Sequence, residues 1–141
     1  GVDRENGFLG YCKKPIDLTV SRASLHMWEE PCISGSTGSG TVFFSGCNLK
    51  CNFCQNYQLS HECKGEFYTP AQLADIFREL ESQGAHNINL VTPTPYSIFL
   101  SKTLEKAKKD LKIPIVYPLS VFLIYNFSLF TLYDAGAYPW A

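Results

Sequence analysis

Cys47, Cys51 and Cys54 fall within the stretch "FFSGCNLKCNFCQN", a C-x3-C-x2-C spacing. Ligands this close in sequence can converge on one metal centre only if the loop folds tightly around it. Structural zinc sites and ferredoxin-type clusters use four thiolates, arranged as C-x2-C pairs or as runs with a fourth cysteine. Three leave one iron of a [4Fe-4S] cluster without a protein ligand. An open iron is a place for a substrate or cosubstrate to coordinate, as the open position on a catalytic zinc is. Gly46 allows the close turn, and Asn48, Asn52 and Asn56 are expected to take turn conformations with their amides donating toward sulfur. Lys50 either sets a positive charge beside an anionic cluster or is an ordinary solvated lysine. Phe53 either offers its face to a planar ring or packs beneath the loop. A four-thiolate zinc or iron site that adds Cys63 is the rival arrangement, and it would make the chain a non-enzymatic metal protein.

Cys12, Cys32 and Cys63 could hold a second metal with His26 or His61, but none of their spacings forms a metal-binding pair, and isolated reduced cysteines are the preferred reading. The stretch "SGSTGSG" lacks the Gly-Lys-Ser/Thr ending of a phosphate loop and is expected to be a flexible turn. His86 is expected to pack or cap at the end of the sheet opposite the active face. No Ser/His/Asp set or carboxylate pair stands out.

The elements that must position the loop follow from periodicity. Residues 1–40 read as a mostly irregular segment. "TVFFS" (41–45), bounded by Gly40 and Gly46, reads as a buried strand that delivers the cysteines from its carboxyl end. "YTPAQLADIFRELESQG" predicts a helix with a Thr69/Gln72 capping box, Pro70 in its first turn, Gly84 as its stop, and a core face of Leu73, Ile76, Phe77 and Leu80. "HNINLVT" (86–92) predicts a strand followed by a rigid "PTPY" loop. A second helix is expected over about 97–110, with Leu100, Leu104, Ala107 and Leu111 on one face, and "IPIVY" is expected as a third strand. Alternating strands and helices imply an α/β fold with parallel strands, in which ligands sit at the carboxyl ends. Loops 46–56 and 92–96 should therefore be neighbours.

The chain has 141 residues, 45% of them hydrophobic, and a net charge of -1, enough for one packed core and without the basic excess of a nucleic-acid binder. No leader pattern is read at the start, so the expected compartment is the reducing cytoplasm, and the six cysteines are not read as disulfides. Residues 113–133 carry no charge, but Pro114 and Pro118 leave only 119–133 uninterrupted, short of the roughly 20 residues of a spanning helix. A membrane location is not expected. Residues 119–141 read as a divergent apolar tail following a core at 41–118.

C-x3-C-x2-C with an aromatic before the third cysteine, placed after a first strand, resembles the signature of the radical S-adenosylmethionine (SAM) enzymes. "EEPCISG", "GSGTVFFSGCNLKCNFCQNYQLS" and "GAHNINLVTPT" look like the uncharacterised branch of pyruvate formate-lyase activating enzyme homologues. The resemblance spans about residues 7–117 and implies a partial βα barrel. It implies that Cys47, Cys51 and Cys54 ligate a [4Fe-4S] cluster, that SAM binds the open iron, and that Phe53 lies beside the adenine. One-electron reduction would cleave SAM to methionine and a 5′-deoxyadenosyl radical that abstracts hydrogen. The implied partners are a flavodoxin- or ferredoxin-like electron donor and a glycyl radical enzyme as protein substrate. Where many relatives carry Gly-Gly-Glu to hold the methionine, this chain has "NLVTPTPY", so Thr92 and Thr94 become the candidate SAM contacts. Cys12 and Cys32 match cysteines of the same branch. The family's further βα units do not follow "IPIVY", so the chain reads as a fragment, with an inactive truncated form as a further alternative.

Overall fold

A computed structural model describes residues 2–118. Its elements are β1 (Thr19–His26), α1 (Pro31–Ser34), β2 (Ser39–Phe44), α2 (Tyr57–Ser60), β3 (Glu66–Phe67), α3 (Pro70–Ser82), β4 (Ile88–Val91), α4 (Ser97–Ala107) and β5 (Ile115–Val116), with a 3-10 turn at Thr94–Tyr96. The strands form one sheet in the order β3-β1-β2-β4-β5. β2 pairs parallel with β4, from Gly40 opposite Ile88 to Phe43 opposite Val91, and β4 pairs parallel with β5. β1 runs antiparallel to both β2 and β3.

Two expectations are corrected here. Residues 19–26 are not irregular but form a strand, and the sheet is mixed, not all-parallel. Strand β1 escapes a period-two reading because its register slips between Val20 and Arg22, so Val20, Ala23 and Leu25 face the core at unequal spacing. Ser39 and Gly40, expected in a flexible turn, are the first residues of β2. Gly40 is needed there, since a Cβ would come 3.0 Å from the Leu80 Cβ and 3.1 Å from the Ala85 Cβ. The α/β class holds as a mixed sheet with helices, while the partial barrel remains an implication of the resemblance. The tail at 119–141 lies outside the described residues, and no helix among the described residues is long and apolar enough to cross a membrane.

The core lies between the sheet and the pair α3 and α4, where Leu73, Phe77 and Leu80 meet Val42, Phe44, Ile88 and Leu90, with Leu100, Leu104 and Ala107 completing it. Ile76 and Leu111, the other two positions expected on the helix faces, are only partly buried against that cluster. Helix α3 starts with the expected reciprocal cap: Gln72 N–H donates to Thr69 Oγ1 at 3.3 Å and Thr69 N–H donates to Gln72 Oε1 at 2.8 Å. At its other end the Glu81 carboxylate accepts the backbone N–H groups of Lys112 (2.7 Å) and Ile113 (3.2 Å), which aims the chain into β5. His86 packs on Gly35, where an added Cβ would meet the His86 ring at 1.7 Å.

Replacing Thr69 with Ala removes the side-chain oxygen that accepts the Gln72 N–H and is expected to cost about 1 kcal/mol. A urea unfolding series compared with the unaltered chain measures it.

Candidate functional site

Because β2 and β4 are parallel neighbours, the loops that leave their carboxyl ends emerge on one edge of the sheet. The Tyr96 hydroxyl donates a 2.7 Å hydrogen bond to the Ser45 carbonyl, joining the residue before Gly46 to the "PTPY" loop. The two loops are neighbours, as expected. Tyr96 is 2% exposed and its ring tilts against Phe44 at 5.8 Å, so the bond is made in a dry site. Burial there pushes the Tyr96 hydroxyl up to about 12.

The cysteine loop starts with a left-handed Gly46 (φ +82), whose absent Cβ would lie 2.6 Å from the Cys12 carbonyl oxygen and 2.8 Å from Lys14 Cγ. Only glycine tolerates both the angle and the approach. Cys47, Cys51 and Cys54 follow, all free and partly buried. Leu49 N–H points at Cys47 Sγ (3.4 Å), and Ser60 Oγ at Cys54 Sγ (3.4 Å). These donors, not the asparagine amides expected from sequence, address the sulfurs. Ser60 sits in α2 beyond the motif, and its spacing carries no signal that would have singled it out. Three thiols on one tight loop, two already facing a donor, fit an iron–sulfur cluster in donor chemistry. Among the described residues no group of three or more His, Cys, Asp or Glu side chains is gathered to hold a metal ion. Metal sites commonly assemble only as the metal binds.

Lys50 is left-handed (φ +46) and its ammonium lies 4.9 Å from the Tyr11 ring centroid, a contact that neither expectation named. Phe53 is 89% exposed, so it does not pack beneath the loop. Thr92, at the end of β4, has φ +62, a conformation that a β-branched residue takes only under strain, and Thr94 opens the 3-10 turn half-buried.

The amino-terminal segment wraps this edge. The Arg4 guanidinium donates to the carbonyls of Pro95, Pro15 and Lys14 and lies over the Tyr96 ring, 5.6 Å from its centroid. Sequence reading missed Arg4, because nothing local distinguishes a clamp to a carbonyl 91 residues away. The segment also brings Cys12 beside Cys63, whose Sγ is 3.4 Å from the Cys12 carbonyl oxygen. Those two cysteines are therefore not isolated. Cys32 is exposed on α1, His26 faces Glu29 at 3.3 Å, and His61 stacks on Tyr57 at 4.2 Å, so no second metal set is assembled among the described residues.

The Radical SAM superfamily domain matches residues 41–126, more than half of the chain. The chain belongs to that superfamily, whose members are enzymes that use a [4Fe-4S] cluster and SAM. An uncharacterized protein of Methanocaldococcus jannaschii is 32% identical over 123 residues, covering 81% of this chain and 34% of that protein. The 7-carboxy-7-deazaguanine synthase of Methanothermobacter thermautotrophicus is 29% identical over 68 residues, covering 47% of this chain and 28% of that enzyme. The chain thus spans about a third of the length of these relatives or less. No solved structure matches it.

Two expectations follow. Thr92→Gly and Thr92→Ala delete the same side chain, but only glycine relieves the left-handed backbone, so Thr92→Gly should be the more stable by about 1 kcal/mol in urea unfolding. Tyr96 is protonated in the folded chain up to about 12 but ionises near its usual 10.0 once unfolded. Its contribution is whole below about 10 and is lost as pH rises toward 12, so unfolding midpoints should fall across that window more steeply than in Tyr96→Phe.

Proposed function

We propose that Cys47, Cys51 and Cys54 hold a [4Fe-4S] cluster with one iron open to SAM, and that the chain serves reductive SAM cleavage for hydrogen abstraction. The observation that carries the reading is the three-cysteine loop leaving β2 beside the loop leaving β4, fastened by the Tyr96–Ser45 bond. A cluster held by these three cysteines would supply the electron for reductive SAM cleavage. This chain's residues do the rest. Gly46 lets the loop turn, Leu49 N–H and Ser60 Oγ steady two thiolates, and the exposed Phe53 ring offers an adenine platform. Thr92 and Thr94 would face the SAM methionine from the neighbouring loop, which Arg4 and Tyr96 fix in place.

The finer reading is an activating-enzyme-like protein that takes hydrogen from a glycine of a glycyl radical enzyme, fed by a flavodoxin- or ferredoxin-like donor. It rests on the resemblance of "EEPCISG" and "VTPT" to that branch, and neither relative is named as an activating enzyme. Fold and cofactor alone do not fix a substrate. The rival four-thiolate zinc site is disfavoured because Cys63 Sγ faces the carbonyls of Cys12, His61 and Ser60 at 3.4, 3.6 and 4.0 Å.

After anaerobic reconstitution, iron and sulfide analysis should show the cluster lost in Cys47→Ala, Cys51→Ala and Cys54→Ala and kept in Cys63→Ala. The reduced chain should release 5′-deoxyadenosine from SAM. Loss of metal in Cys63→Ala, or zinc in place of iron, would establish the four-thiolate site.

A further inference from the structure

The groups behind the cysteine loop are not needed to ligate a cluster, yet they are closely arranged. Cys12 is 4% exposed and sits in a tight turn in which Lys13 N–H donates to the Gly10 carbonyl at 2.8 Å and Gly10 N–H to the Lys14 carbonyl at 3.2 Å. Cys63 is distant in sequence and partly buried, with its sulfur 3.4 Å from the Cys12 carbonyl oxygen. Lys14, 9% exposed as a residue, donates its ammonium to the Cys63 carbonyl at 2.8 Å and holds the two segments together. Both turns are left-handed without glycine, Lys13 at φ +58 and Cys63 at φ +58. Such angles persist only where the surrounding contacts impose them. The Cys12 carbonyl also lies against Gly46, so this pair sits directly under the first residue of the loop.

We propose that Cys12 and Cys63 are a thiol pair that closes into a disulfide in the presence of a low-molecular-weight disulfide, fastening residues 10–15 across the base of the cysteine loop. Cys63, the more accessible of the two, attacks a sulfur of the small disulfide and releases one small thiol, leaving a mixed disulfide. The Cys12 thiolate then attacks the Cys63 sulfur, forming the protein disulfide and releasing the second small thiol. Two protein thiols are oxidised and one small disulfide is reduced to two thiols, whose protons come from the protein thiols. The Cys63 sulfur already rests on the Cys12 backbone, and pairing requires the Cys12 thiol, 4.0 Å from the Lys14 carbonyl oxygen, to turn toward it. Cys32, exposed on α1, is the comparison thiol for the second step. The pair is independent of the cluster ligands, so it stands or falls separately from the proposed chemistry.

The test exposes the folded full chain, under anaerobic conditions, to oxidised glutathione, traps remaining thiols by alkylation, and maps the peptides without reduction. The expected result is a peptide pair joined through Cys12 and Cys63, with glutathione retained on Cys32 and lost from Cys63. In Cys12→Ser, glutathione should stay on Cys63. The same treatment in urea should lose the Cys12–Cys63 product, which distinguishes fold-directed pairing from chance. Persistent glutathione on Cys63 of the unaltered folded chain overturns the proposal, as does a cross-link that forms equally well in urea, or absence of any cross-link between these two residues.

Discussion

A single buried hydrogen bond, from the Tyr96 hydroxyl to the Ser45 carbonyl, fixes the distance between the two loops on which the site depends. It can be short and dry because parallel pairing of β2 with β4 ends both strands at one edge, and because Phe44 and the core exclude water from the phenol. Breaking it would leave a phenol and a carbonyl unpaired in a buried place, which costs more than the bond is worth in water. Arg4 reinforces the same corner from the other side, through the carbonyl of Pro95 and the face of Tyr96. The cysteine loop thus leaves a fixed point, and its own glycine then needs no room, since Gly46 rests on the backbone of Cys12.

What the sequence made legible was local. The capping box at Thr69, the helix faces of α3 and α4, the strands β2 and β4, and the cysteine spacing all depend on residues within a few positions of one another. Their shared edge followed from alternation of strand and helix. What it hid was long-range. Strand β1 is polar and bulged, and it becomes a strand because β2 offers it an antiparallel edge. Arg4, Lys14 and Cys63 gain their roles from partners far away in the chain, so no window around them carries the signal. Ser60, the donor to Cys54, lies just past the motif and looks like any serine in a short helix.

The site shows a division of labour suited to radical chemistry. The core and the clamp hold the two loops together through direct contacts, while the three thiols lie on one of those loops. Thr92, just past the end of β4, keeps a left-handed backbone that only its surroundings can impose. Membership in the superfamily supplies the cofactor pair. The substrate depends on parts that a chain spanning about a third of its relatives need not contain.

The most direct test of the open-iron claim is an anaerobic electron paramagnetic resonance spectrum of the reconstituted, dithionite-reduced chain, recorded with and without SAM. The account predicts a [4Fe-4S] signal whose shape shifts when SAM is added, because SAM takes the iron that three cysteines leave free. A cluster signal indifferent to SAM, or no cluster signal, would contradict it.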